Sequence, residues 1–124
     1  MLSDKKITPD LPVQDLERAR KFYEEKLGLK PVMSSDYDVM YVCGGGTNLY
    51  LYRREPTKVE HTEVSWNVDD IEAEMKDLRS RGVEFESYDL PELKTDENDI
   101  AVMDGVRASW FKDPEGNILS LVQM

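Results

Sequence analysis

Apolar and polar positions alternate from Ile7 to Val13, with Ile7, Pro9, Leu11 and Val13 set against Thr8, Asp10 and Pro12, as in a half-buried strand. Pro9 and Pro12 cannot donate ladder hydrogen bonds, which predicts an irregular strand or one at a sheet edge. Asp15 is a good helix N-cap. Leu16, Ala19, Phe22, Tyr23 and Leu27 then fall at spacings of three and four, predicting an amphipathic helix over Asp15 to Leu27 that Gly28 ends. Strand patterns return near Lys30 to Met33, from Tyr37 to Cys43 and from Asn48 to Arg53, the last two joined by Gly44, Gly45 and Gly46. No helix start with a Lys and a Ser or Thr follows these glycines, so they read as a permissive hairpin turn and not as a phosphate loop.

Beyond a polar joint at Glu55 to Lys58 the order repeats. Thr62, Val64, Trp66 and Val68 form the apolar parity of a strand whose other face carries His61, Glu63, Ser65 and Asn67. A helix over Asp70 to Arg81 follows, with Ile71, Met75 and Leu78 on one stripe, then Gly82 and a short strand at Val83 to Glu86. Tyr88 to Asp104 is acidic and poorly periodic, and reads as either a surface loop or a lid over a site. Two strands, Val106 to Lys112 and Asn117 to Gln123, close the chain around the turn Asp113, Pro114, Glu115, Gly116. The stretch Val68, Asp69, Asp70, Ile71, Glu72, Ala73 repeats the plan of Val13, Gln14, Asp15, Leu16, Glu17, Arg18, 55 positions on. Each half therefore reads β-α-β-β-β, one module used twice, at about 5–55 and 60–124 of a single 1–124 domain.

Composition narrows the class of partner. The chain has 124 residues, 40% of them apolar and 34% charged, as expected of a globular chain and not of a disordered one. A formal net charge of -10 opposes binding to phosphate backbones, so nucleic acid is excluded as a partner, whereas attraction of a cationic ligand is compatible with it. The one cysteine, Cys43, lies in an apolar run and reads as a buried, inert thiol. No signal-like segment and no apolar run of membrane-spanning length is present. The expectation is a cytoplasmic protein with no membrane partner.

Val13 to Leu29 (V-Q-D-L-E-R-A-R-K-F-Y-E-E-K-L-G-L) and Phe111 to Gln123 (F-K-D-P-E-G-N-I-L-S-L-V-Q), together with the repeated plan, resemble the vicinal oxygen chelate superfamily of glyoxalase I, extradiol dioxygenases and bleomycin-resistance proteins. The resemblance implies an α+β fold, two βαβββ modules forming a curved mixed sheet around a cavity. It fixes no reaction, because one scaffold carries many activities. Metal-dependent members place His or Glu on the first strand of each module and Glu on the last. Carried over residue by residue, those positions fall on Thr8, Tyr50, Glu63 and Ser120, of which only Glu63 is a competent ligand. A divalent metal held by His61, Glu63 and Asp10 is conceivable but disfavoured, and no cofactor is expected. A lone cavity carboxylate also suits a general base, since partial burial raises its pKa; a hydrogen-bonded wall residue is the plainer role for Glu63.

Trp66 shares the parity of Val64 and Val68 and is expected beneath a helix. Tyr50 shares the parity of the missing glutamate and is expected to face the cavity. Trp110 and Phe111 face opposite ways, and the sequence leaves open which points inward. The candidate ligand-binding residues are thus Thr8, Asp10, Tyr50, His61, Glu63, Trp110 and Ser120. Three functions stay open: capture of a small, planar or cationic organic molecule without metal; a metal-dependent lyase, isomerase or dioxygenase with a non-standard ligand set; and a structural or regulatory dimer. Curved four-stranded sheets leave edges uncovered, which predicts a homodimer.

Overall fold

Asp15 and Asp70 each stand where a strand turns into a helix, and each side chain accepts the backbone N–H three residues on, from Arg18 at 3.0 Å and from Ala73 at 3.1 Å. This satisfies one of the donors that every helix start leaves unpaired, and the extended backbone of both residues sets the entry into the helix. The computed structural model describes residues 1–124, and the chain folds as two units, Met1–Lys58 and Val59–Met124. Each unit contains one copy of the repeated stretch.

The first unit runs β1 (Asp10–Val13), α1 (Leu16–Lys21), β2 (Lys30–Ser34), β3 (Asp38–Val42) and β4 (Asn48–Arg53). Its four strands lie in the order β1-β4-β3-β2, with β1 parallel to β4 and the other pairs antiparallel. β1 starts at Asp10 and not at Ile7, which is exposed. Pro9 has no N–H to join a ladder, although its carbonyl still accepts Tyr50 N–H at 3.0 Å. The helix also departs from the regular one expected to Leu27. Beyond Lys21 it widens into a π-helical turn over Phe22–Lys26, closed by Leu27 N–H on the Phe22 carbonyl at 3.1 Å. The turn seats two consecutive aromatic residues in the core, Phe22 and Tyr23, edge to face at 5.3 Å. Gly28, at φ 73, then lets Leu29 N–H reach back to the Tyr23 carbonyl.

Tyr23 stacks on Tyr41 of β3 at 6.1 Å, which places α1 on the face that carries Leu11, Val39, Tyr41, Leu49 and Leu51, all buried. The Tyr41 hydroxyl donates to Glu24 Oε2 at 2.9 Å, and Arg20 Nε donates to the same oxygen at 2.6 Å. Burial pushes the Glu24 carboxyl up, but these two donors outweigh it and hold the group below its usual range.

The second unit repeats the architecture with β5 (Thr62–Asn67), α2 (Ile71–Ser80), β6 (Ala101–Met103), β7 (Val106–Lys112) and β8 (Ile118–Gln123). The order is β5-β8-β7-β6, again with the first pair parallel. Gln123 Oε1 accepts Ile71 N–H at 2.8 Å and Arg107 pairs with Glu72, so α2 covers the face of β8 that carries Leu119 and Leu121. This is an α+β fold of two βαβββ modules.

One expected strand is replaced. Val83 to Glu86 contributes only a single bridge, Phe85 to Phe111, because Val83 and Phe85 are used in packing: Val83 is buried, and Phe85 meets Phe111 edge-on at 5.5 Å with the Arg79 guanidinium 5.1 Å above its ring. The outer strand is instead β6, inside the stretch read as loop or lid, and three residues are too few to show a period. No helix is long and apolar enough to cross a membrane. We expect Asp15→Ala and Asp70→Ala each to lower stability by about 1 kcal/mol in urea unfolding followed by circular dichroism, with exposed Glu17→Ala within about 0.5 kcal/mol of wild type.

Candidate functional site

In both units the helix covers one face of the sheet, and candidate residues lie on the other. In the first unit Asp10 is the register partner of Tyr50, and the Tyr50 hydroxyl donates to Asp38 Oδ2 at 2.6 Å. The rings of Tyr50 and Tyr52 lie nearly parallel, 6.1 Å apart. Asp38 also accepts from Ser35 Oγ at 2.6 Å, and the Ser35 and Tyr50 bonds hold its carboxyl below the usual range. The same contact with Asp38 pushes the Tyr50 phenol up. Asp38 was not among the candidates, although it shares the parity of Met40 and pairs with Tyr52. Thr8 is half-buried and precedes β1.

In the second unit a β-bulge rearranges the expected parity. Thr62 pairs with Ile118 and Val64 with the very next residue, Leu119, so Glu63 is an extra residue in β5. Thr62 therefore leaves the face of Trp66, where alternation had put it, and joins that of Trp110, whose indole Nε1–H it accepts on Oγ1 at 3.0 Å. The expectation that His61 shares the face of Glu63 rested on unbroken alternation and loses that basis. His61 is exposed, with Nδ1 3.2 Å from the Thr62 carbonyl.

Glu63 sits at the bulge, where its carboxylate takes the backbone N–H of Ile118 and lies beside the carboxyl of Asp113. Burial first, and the Asp113 charge second, push the Glu63 carboxyl above its usual range, against the pull of Ile118 N–H and His61. Its Oε1 is buried and has no hydrogen-bond partner. Asp113 is committed to the closing turn: Oδ1 accepts the N–H of Glu115 at 2.8 Å and of Asn117 at 2.9 Å, and Oδ2 accepts Asn117 Nδ2 at 2.8 Å. These bonds give the Asp at the start of the turn and the Asn at its end their roles.

The orientation left open by the sequence is decided by register. Trp110 pairs with Ser120 on the face away from α2, and Phe111 lies on the α2 face, stacked with Trp66 at 6.4 Å. Trp66 is thus on the helix side, as expected. Ser120 is buried, and its Oγ lies 2.5 Å from that of Ser65. Sequence reasoning missed Tyr88 and Leu93, which pack against the cluster of Ala101, Ala108, Trp110 and Ile118 on this same face. Their stretch has no period to signal it.

The sequence matches the Glyoxalase/Bleomycin resistance protein/Dioxygenase superfamily over residues 7–121. The chain belongs to this superfamily. Among solved structures, a superfamily member from Sphaerobacter thermophilus is 27% identical, with a TM-score of 0.75 and coverage of 100% of both chains. The antibiotic binding protein TnmS3 of a Streptomyces species is 24% identical, with a TM-score of 0.68 over 99% of this chain and 98% of that one. A bleomycin resistance determinant encoded on the transposon Tn5 is 22% identical, with a TM-score of 0.71 over 96% and 97%. No curated protein matches the sequence.

The superfamily's metal positions can be tested on the donors present. Tyr50 is engaged with Asp38, Ser120 with Ser65, and Thr8 offers a neutral hydroxyl. No group of three or more His, Cys, Asp or Glu that could hold a metal ion converges in the chain. With one carboxylate at four positions, this donor set does not fit a divalent ion.

A carboxyl raised by folding stabilises the native state while protonated, and that contribution is lost as pH rises through its folded pKa. Glu63→Gln is therefore expected to raise the Tm by about 3 °C at pH 7 and by less at pH 4, measured by calorimetry. A gain that is equal at both pH values contradicts the assignment.

Proposed function

We propose that this chain is a cytoplasmic small-molecule-binding member of the superfamily that works without the usual metal site. Its ligand is a small organic molecule, planar or cationic. In the first unit Tyr50 serves as a flat surface and Asp10 as an anionic end, with Thr8 as a further polar group; in the second unit Trp110 serves as a flat surface and Glu63 as an anionic end, with His61 and Ser120 as further polar groups. The observation that carries the reading is the buried Glu63 Oε1 with no partner. An unpaired buried acceptor is costly, and a ligand ammonium or N–H that bonds to it removes that cost. The net charge of -10 favours a cation, and aromatic surface supplies affinity while the carboxylates supply direction. Solved structures of the same fold include an antibiotic binding protein and a bleomycin resistance determinant. The raised Glu63 carboxyl also suits a general base, but a metal-dependent lyase, isomerase or dioxygenase finds no converging donor set to support it.

The test is a panel of planar cations, including proflavine and bleomycin, followed by calorimetry and tryptophan fluorescence. Micromolar binding is expected, weakened about tenfold by Glu63→Gln in the second unit or by Tyr50→Ala in the first. Absence of binding, or binding indifferent to both substitutions, ends the reading.

Assembly as a homodimer belongs to the same proposal. The outer strands β2 and β6 leave Met33 70% and Val102 64% exposed beside unpaired backbone, the kind of edge that a second chain covers. Light scattering at micromolar protein is expected to give twice the chain mass of 14.3 kDa. A mass equal to one chain contradicts it.

A further inference from the structure

The stretch from Tyr88 to Thr95 is folded on itself. Tyr88 N–H donates to Thr95 Oγ1 and Thr95 N–H to the Tyr88 carbonyl, both at 2.9 Å; Leu90 and Leu93 exchange backbone bonds at 2.9 and 3.2 Å; Asp89 bridges to Lys94. Every hydrogen bond of these residues is made within the stretch. The last bond to the sheet before it is Glu86 N–H on the Trp110 carbonyl at 2.8 Å. After it, the chain is pinned at Asp99, which holds an uncommon φ of 66, receives Ser87 Oγ at 2.5 Å and pairs with Arg79 at 2.9 Å. The small hairpin is therefore tied at its neck and attached to the sheet by side-chain packing alone, through Tyr88 and Leu93. Swinging it away breaks no backbone hydrogen bond.

Tyr88 meets the Trp110 indole edge to face, with centroids 5.5 Å apart and planes at 83°. The indole is fixed by its bond to Thr62, so its polar atom is satisfied and it offers only carbon surface, walled by Ala108 and Ile118. We propose that this face is a subsite for a single neutral aromatic ring of the ligand, and that Tyr88 occupies it in the free chain as a tethered stand-in. The inference deepens the ligand-capture reading and rests on it. A ring arriving from solution restores the contact that Tyr88 gives up, while competition with the tethered ring reduces apparent affinity by the fraction of chains in which the hairpin is closed.

The experiment uses Tyr88→Ala and Tyr88→Phe, with 4-fluorophenol as the probe, read by fluorine NMR. Tyr88→Ala is expected to bind it at least threefold more tightly than wild type, and Tyr88→Phe, which keeps the ring, to match wild type. Binding that is equal or weaker in Tyr88→Ala overturns the proposal, since the ring is then not a competitor. A second readout needs no ligand. In a Trp66→Phe background, acrylamide quenching of Trp110 is expected to rise at least twofold on Tyr88→Ala, or on Leu93→Ala should the first variant not fold. Unchanged quenching overturns the proposal. The two readings fail separately: Glu63-dependent proflavine binding without any Tyr88 effect removes the subsite alone, and a fluorophenol-filled Tyr88→Ala with no planar-cation binding removes the capture reading alone.

Discussion

A four-stranded sheet has two faces, and one helix covers only one of them. Everything specific to this chain follows from that constraint, because each βαβββ unit supplies a single helix. The covered faces are conventional cores: Leu11, Leu49 and Leu51 in the first unit, and Leu119, Leu121 and Met75 in the second, have almost no exposure. The uncovered faces carry polar and aromatic side chains. There the chain places paired tyrosines beside Asp10 and Asp38, and an indole beside the Glu63 bulge.

The bulge in β5 gives the second unit its character. By adding Glu63 between two residues that pair with neighbours on β8, it turns Thr62 toward Trp110 and brings the carboxylate against the Ile118 amide and Asp113. Two carboxyls at one end of a sheet repel, and the chain resolves the conflict unequally. Asp113 is satisfied by the closing turn, while Glu63 is left with a buried oxygen that nothing in the protein reaches. A fold stabilised mainly by its helix-side cores tolerates such a defect, and defects of this kind are where binding free energy is available.

The superfamily scaffold is kept, and no group of three or more His, Cys, Asp or Glu converges on it. Tyr50 and Ser120 bond to neighbours, Asp38 and Ser65, on the same faces. An aromatic and carboxylate surface orients an organic molecule without needing the convergence of donors that a cation demands.

The sequence by itself determined the modules, since the caps Asp15 and Asp70, the apolar stripes of both helices and the turn at Asp113 to Gly116 act through neighbours a few positions away, and local chemistry is legible locally. It also placed Trp66 on the helix side, because the later part of β5 alternates without interruption. What it lacked were the features set by pairing across the sheet. A bulge exists only relative to the partner strand, so the parity of Thr62 and His61 was unreadable from β5 alone. The choice between Trp110 and Phe111 depended on which face α2 covers, fixed by Gln123 and Arg107 far along the chain. Tyr88, Leu93 and the outer strand β6 lie in a stretch without period, and tertiary structure alone decided that this stretch folds onto Trp110, because the contacts that hold it are made by two side chains and not by any repeating pattern.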